Sequence, residues 1–473
     1  MPSPTIPDAD PAGREAWLKA AARTLKGAPI ASLATRTVDG IEIAALYDGG
    51  VAPDCLPTAA GWDIRALIDA DHAAEANALG LEALGGGATS LLLVVDGSGV
   101  GSPADMARVL QGVVLEAGPA ALDAGLLGPL AAEWLGDAAK GSPAARLDFH
   151  MDPLGAFAEA GQSPGPIEAH VERAAEVGAA LAGTYPHASL LLASGRAAHE
   201  AGGSAAQELG VMAAAGVAYA KALARAGLPP EAAFGRITLG LSVDSDVLVG
   251  IAKLRAARRI WARIAAALGS RAPARIEVRS SRRMLTAADP WTNLLRLTLA
   301  GFAGAVGGAD AMILGAFTDA LGRPAERARR LARNTQLILS DEAGLGHAAD
   351  PAAGAWALEA LSDQLARQGW SILQAIEQRG GLAAALGSGF ITAEVAGVRA
   401  AREQAIGDGV LPILGVTDFP DPEPLPVETL APRAPRGRAV PDIRLPGPDS
   451  RCPPLTPIRV SVLAEDIARD LAP

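Results

Sequence analysis

Short apolar runs alternating with long alanine-rich stretches predict an α/β chain: a closed (β/α)8 TIM barrel with an N-terminal helical arm and a Pro-rich C-terminal tail. Six such runs recur at intervals of roughly 40 residues, as expected of a parallel sheet covered on both faces. Half of the residues are hydrophobic but only 4% are aromatic. Small aliphatic side chains therefore carry the core, which suits helices on a parallel sheet better than a β-sandwich. No Gly-x-Gly-x-x-Gly follows any run, so an open dinucleotide-binding sheet is the weaker reading.

In chain order, the first ten residues are Pro-rich and read as unpaired. Residues 14–26 then form an amphipathic helix with Trp17, Leu18, Ala21 and Leu25 on one face. The barrel runs begin with Ser90-Leu91-Leu92-Leu93-Val94-Val95, preceded by a turn at Gly85-Gly86-Gly87. Arg146-Leu147-Asp148-Phe149-His150, Ser189-Leu190-Leu191-Leu192-Ala193 and Arg236-Ile237-Thr238-Leu239-Gly240-Leu241 follow. Arg275-Ile276-Glu277-Val278-Arg279 and Met312-Ile313-Leu314-Gly315 are the fifth and sixth. Two further strands are needed to close the ring and are expected after Met312, although Gly346-His347-Ala348-Ala349-Asp350 is a poor strand by propensity. Beyond about residue 415 the chain becomes Pro-rich, too poor in apolar residues for a core, and extends or drapes over another surface before a last helix at 460–471. The division is an arm over 1–45, a barrel over 46–415 and a tail over 416–473.

Formal net charge is −11, from 41 basic and 52 acidic residues. That field favours solubility and repels nucleic acid and anionic lipid, but a local basic patch can still hold an anionic substrate. Cys55 and Cys452 stand at opposite ends of the chain, in neither a disulfide framework nor a metal-ligand spacing, and read as reduced thiols. The N-terminus has no basic and apolar leader pattern. The longest uncharged stretches, such as 297–309, are too short and Gly-rich to span a bilayer. A soluble, cytoplasmic protein without nucleic-acid or membrane partners is expected.

Several segments carry a more specific signal. Gly61-Trp62-Asp63-Ile64-Arg65, Glu200-Ala201-Gly202 with Ala206-Gln207-Glu208-Leu209, and Ala252-Lys253-Leu254-Arg255-Ala256-Ala257-Arg258 with Trp261 are three. Asp289-Pro290-Trp291-x-Asn293-Leu294-Leu295-Arg296, Ala332-Arg333-Asn334-Thr335-Gln336-Leu337-Ile338-Leu339, Asp350-Pro351 and Gly380-Gly381 continue the series. In this order, across about residues 14–415, they resemble the methylmalonyl-CoA mutase family, in which the Trp-x-Ile-Arg element precedes the barrel. Asp152-Pro153-Leu154-Gly155 and the short Asp-Ile-Arg variant resemble its small-subunit branch.

The resemblance implies a barrel whose lumen threads the pantetheine arm of CoA in catalytic members. It also implies cobalamin across the C-terminal mouth, held by a flavodoxin-like domain with an Asp-x-His-x-x-Gly motif. The sequence departs from that pattern. Among His72, His150, His170, His187, His199 and His347, only Asp148-Phe149-His150 has the Asp-x-His spacing. Its Gly155 is too far downstream, and it lies in a predicted strand, so His150 reads as structural. No cobalamin domain is expected in this chain. Counted without gaps, the family's radical-steering Tyr falls on Leu67, its carboxylate-binding Gln on His199, and its His at the thioester carbonyl on Glu277. Leu cannot hydrogen-bond, and a carboxylate repels the negative charge that develops at that carbonyl.

Simpler readings stand beside these. Glu277 is expected in a rim pair with Arg275 or Arg279, and His199 as a satisfied polar group at a strand-to-helix turn. The basic stretch 253–259 and the cluster Arg327-Ala328-Arg329-Arg330 are expected on solvated or interface faces.

The sequence therefore points to a non-catalytic small subunit of a heteromeric, adenosylcobalamin-dependent mutase interconverting methylmalonyl-CoA and succinyl-CoA. The chain alone would be inactive and would bind no cofactor or metal. Its partner would be a catalytic large subunit bearing adenosylcobalamin, with Trp17, Leu18 and Leu25 as interface candidates, the arm and tail wrapping that partner, and vestigial acyl-CoA binding possible. The alternative is a catalytic barrel of a split acyl-CoA mutase whose cobalamin domain is a separate chain.

Overall fold

All six apolar runs form strands, but the ring closes differently from the sequence expectation. The computed structural model describes residues 11–49, 56, 58, 60–97, 99–142, 144–431, 443–462, 464 and 465. Eight parallel strands form one closed barrel in sequential order. They are β1 (Asp63–Ile68), β2 (Ser90–Val94), β3 (Ala120–Asp123), β4 (Leu147–Met151), β5 (Ser189–Ser194), β6 (Ile237–Val243), β7 (Arg275–Ser280) and β8 (Ala311–Ile313).

The two strands sought after Met312 lie before Arg146 instead. The Trp62-x-Ile64-Arg65 element is β1 itself, and β8 closes on it, pairing Ala311 with Asp63 and Met312 with Ile64. Gly346-His347 belongs to a 3-10 turn, Leu345–His347.

Six helices matter below: α1 (Pro11–Thr24), α2 (Ala73–Gly85), α3 (Ala205–Arg225), α4 (Val247–Ala267), α5 (Glu326–Leu337) and α6 (Trp356–Glu377). Their ends are set by local chemistry. The Ser204 hydroxyl and Gln207 side chain cap α3 reciprocally, and Asp246 accepts the Val249 N–H at the start of α4. α1 follows the predicted amphipathic helix, but none of its described residues is buried.

The basic face of α4 is not solvated, contrary to expectation. Lys253, Arg255 and Arg258 are all buried. Lys253 reaches Glu208 at 2.5 Å, Arg255 bonds Asp350 and also Glu359 at 2.6 Å, and Arg258 pairs with Asp310 at 2.9 Å. α4 is wedged between the barrel and α6, so its cations are tolerated only because each meets a carboxylate.

The described part of the tail drapes over the chain's own barrel. Ser450–Arg451 pairs antiparallel with Gln162–Ser163, and the N–H groups of Leu455 and Ile458 donate to the carbonyls of Ala158 and Glu200. Residues 432–442, the first ten residues, Cys55 and most of the helix expected at 460–471 lie outside the described residues. Cys452 is buried with a free thiol. No helix among the described residues is long and apolar enough to cross a membrane.

Candidate functional site at the barrel lumen and mouth

Alternate residues of a strand face the same way, so β1, β4 and β7 send Asp63/Arg65/Leu67, Asp148/His150 and Arg275/Glu277/Arg279 toward the barrel axis. The resulting network spans the lumen. The Arg65 guanidinium on β1 donates to Asp148 Oδ2 on β4 at 2.6 Å, to Glu277 Oε2 on β7 at 2.6 Å and to Ser90 Oγ on β2 at 3.1 Å. Strands 4 and 7 stand apart from β1 and from each other around the ring, so a β1 side chain that bonds to both reaches across the lumen. Arg275 grips Asp148 with two bonds of 2.6 and 2.9 Å. Arg279 donates to Glu277 at 3.3 Å and to Asp123 at 2.5 Å.

Glu277 was expected at the rim. Its pair with Arg279 is present, but the carboxylate is fully buried on the axis, because a central strand position of β7 faces the lumen. Burial opposes ionisation of both Asp148 and Glu277, and surrounding cations outweigh it, Arg275 and Arg65 for Asp148, leaving both carboxyls below the usual range. Burial likewise opposes the charge on Arg65, and Asp148 and Glu277 more than restore it.

His150 lies within β4, as expected, at a register irregularity between Asp148 and Met151 and with φ of 45°. Its ring is fully buried, 3.5 Å from Glu277 Oε2, and neither nitrogen has a hydrogen-bond partner among the described residues. Burial pulls its pKa down to about 4, so it is neutral near pH 7. Four arginines (65, 146, 275, 279) then face four carboxylates (Asp63, Asp123, Asp148, Glu277), and the plug is balanced. Leu92, Ala121 and Ile313 form a small apolar cluster of their own nearby.

At the C-terminal ends of the strands, where TIM barrels carry their sites, a cavity of about 750 Å³ opens. Leu67, 37% exposed, lines it. From the short helix Arg196–Glu200 the cavity receives Arg196, Ala197 and Glu200 but not His199. His199 is buried at the turn where the sequence suggested a satisfied polar group, but only half of its ring is met: Nδ1 lies 3.1 Å from Glu208 Oε2, and Nε2 has no hydrogen-bond partner among the described residues. Pro457 of the tail also lines the cavity.

Asp152 lines this mouth and caps the helix Pro153–Ala160. Burial pushes its pKa up to about 7 against the hydrogen bond donated by the Tyr219 hydroxyl at 2.5 Å. That hydroxyl also accepts the Leu154 N–H. A carboxyl whose folded pKa exceeds its unfolded value near 4 stabilises the fold at low pH. That contribution declines as pH rises from about 4 toward 7. Tyr219→Phe is therefore expected to cost about 1–3 kcal/mol, more at pH 8 than at pH 5, because the phenol supports the ionised form most. Urea denaturation at both pH values checks this, and an equal loss at both would show that the bond to Asp152 is not what matters.

The plug went unseen in the sequence, although the alternating charges Asp63/Arg65 on β1 and Arg275/Glu277/Arg279 on β7, with Asp148 on β4, signal it. Among the described residues, no group of three or more His, Cys, Asp or Glu side chains is placed to hold a metal ion. Among the described residues one histidine, His150, lines the mouth cavity, with both ring nitrogens buried, and His199 faces Glu208 instead.

The family model described as methylmalonyl-CoA mutase matches residues 93–442. The chain is similar to the methylmalonyl-CoA mutase small subunit of Streptomyces virginiae, 39% identical over 387 residues, covering 80% of this chain and 62% of that one. It is similar to the probable methylmalonyl-CoA mutase small subunit of Mycobacterium tuberculosis, 37% identical over 421 residues, covering 82% and 66%. The small subunit of Propionibacterium freudenreichii subsp. shermanii is 32% identical over 415 residues, covering 82% and 64%. The chain thus spans somewhat under two thirds of the length of these relatives.

Proposed function

The chain belongs to the methylmalonyl-CoA mutase family of isomerases, and we propose that within it the chain acts as a non-catalytic small subunit supporting a catalytic large subunit in the cytoplasm. The observation that carries this reading is the lumen plug. A substrate arm threading the barrel would have to displace Arg65 from Asp148 and Glu277, leaving the buried Glu277 with Arg279 at 3.3 Å alone. The mouth supports the same reading: Leu67 offers no hydrogen bond there, and Glu277 sits beneath it as part of the ion network.

Adenosylcobalamin, the cofactor the family implies, does not fit the mouth residues of this chain. A cobalt ligand must present a free imidazole nitrogen, held by a second group, and the Asp148-x-His150 pair is spent inside the lumen, with Asp148 bound to Arg65 and Arg275. The large subunit would therefore supply the cofactor and interconvert methylmalonyl-CoA and succinyl-CoA. α1, with Trp17 and Leu18, and Leu25 just past its end are assigned to the interface between the two, because this apolar stripe is only half-buried on its own chain.

Titration of the isolated chain with adenosylcobalamin is expected to leave the cofactor's absorption spectrum unchanged, and supplied methylmalonyl-CoA should yield no succinyl-CoA. Stoichiometric binding with a shift to the His-ligated spectrum, or turnover by this chain alone, would overturn the proposal.

A further inference from the structure

The ring of strands closes at its last joint over a short stretch only. β8 pairs with β1 at Asp63 and Ile64 only, whereas β1 pairs with β2 from Arg65 to Ile68. Past Ile313 the chain turns out of the wall: Ser280 Oγ accepts the Gly315 N–H at 2.8 Å and Asp319 Oδ2 accepts the Ala316 N–H at 3.0 Å. A cavity of about 290 Å³ occupies this gap. Leu67 and Ile313 line it from the lumen side, and Ala66, Ile68, Leu314 and Ala316 from the outer side, so it passes through the barrel wall. Leu67, Arg282, Ile313 and Asp319 are shared with the mouth cavity, which makes the two spaces neighbours at a common threshold.

α5 roofs the slot with Ala332 and is latched to α2 and the turn after it. Arg323 pairs with Asp71 at 2.8 Å and Glu75 at 2.9 Å, and Arg329 pairs with Glu82 at 2.9 Å. The Arg333 Nε donates to the Gly86 carbonyl at 2.8 Å. A Cβ at position 86 would stand only 2.3 Å from the Arg333 guanidinium, so glycine there lets the latch seat. These pairs fix the roof, and the slot has defined walls without collapsing onto the strands.

The lining has a definite chemistry. Its walls are aliphatic and no aromatic side chain lines it, so a flat ring would find nothing to stack on. Five arginines (65, 282, 323, 329, 333) line it against two carboxyls, Asp69 and Asp319, and Arg65 is already held by Asp148 and Glu277. Burial pushes Asp319 up to about 6 against the pull of the nearby Arg282, so it opposes an anion less only as pH falls toward that value. Arg282 stands at the threshold, exposed, and has no ion pair among the described residues. An enclosed apolar space with one available cation at its opening suits an amphipathic anion. The geometry points to a binding site for an aliphatic carboxylate, its chain in the β1–β8 slot and its head group at Arg282. This site is independent of the role proposed for the chain in the mutase.

Isothermal titration of the full chain with octanoate tests it, with acetate and octylamine as probes lacking the chain and the negative head. Octanoate should saturate one site, and both controls should bind at least tenfold more weakly. Ala332→Phe, which fills the slot from the roof, and Arg282→Gln, at an exposed position, should each weaken octanoate tenfold or more without lowering the melting temperature. The site is refuted if octanoate fails to bind, if octylamine binds equally well, or if Arg282→Gln keeps the parent affinity. A folded Ala332→Phe variant with parent affinity would also refute it.

Discussion

Replacing Arg65 with methionine should destabilise the barrel by about 3–5 kcal/mol, the usual cost of removing one partner from a buried ion pair. Methionine roughly matches the length of the side chain, so the loss reads the charge rather than a cavity. Asp148 keeps both bonds to Arg275, but Glu277 is left with Arg279 at 3.3 Å alone. Most of the penalty therefore falls on Glu277, and the double variant Arg65→Met/Glu277→Gln should recover a good part of it. The sign of the pH dependence follows from linkage. In the parent, both carboxyls titrate below their unfolded values near 4, so their contribution is present above about pH 4 and is lost as pH falls through the folded values. Without Arg65, Glu277 resists ionisation, and protonating it relieves the variant. The gap between variant and parent should narrow from pH 7 to pH 5. Guanidinium denaturation of the three proteins at both pH values measures this, and a single-variant loss under about 1 kcal/mol would mean the plug is not a structural keystone.

That network also shows what the sequence could and could not reveal. Apolar runs such as Ser90–Val94 and Ser189–Ser194 are legible because both faces of the strand are buried. β1 was hidden because Asp63 and Arg65 interrupt its apolar pattern, and those are the residues that enter the lumen. β3, Ala-Ala-Leu-Asp, is too short and too poor in β-branched residues to signal a strand. With both unseen, the missing strands were sought after Met312, where α5, α6 and turns lie. The cations of α4 misled for a related reason: a basic helical stretch reads as solvated unless its partners, Glu208, Asp310, Asp350 and Glu359, are known to converge on it. These come from distant parts of the sequence. The position of His199 at a turn was legible locally, whereas the slot between β1 and β8 depends on where two strands stop pairing, which no local pattern records.

Trp17→Ala should weaken association with the large subunit by about 2 kcal/mol or more, the scale of a buried Trp anchor, or roughly thirtyfold in Kd. A helix of 14 residues is marginal in water without tertiary support, and α1 receives little from its own chain. Trp17, Leu18 and Leu25 remain half-buried, and Trp17 does not pack against the buried core. One anchor is the ion pair between Arg14 and Asp48, whose side chains are half and one third exposed, and such surface pairs contribute little. An apolar stripe held this loosely gains its burial from another surface, and a second chain of the mutase supplies one in the proposed assembly. Because the barrel does not lean on Trp17, the isolated variant should melt within a degree or so of the parent. Trp17→Phe keeps most of the apolar area and should keep most of the affinity. Affinity capture of the large subunit, read beside thermal melts of the isolated chain, separates the possibilities. If Trp17→Ala melts early yet captures the large subunit normally, α1 packs on its own barrel and its assignment to the interface is wrong.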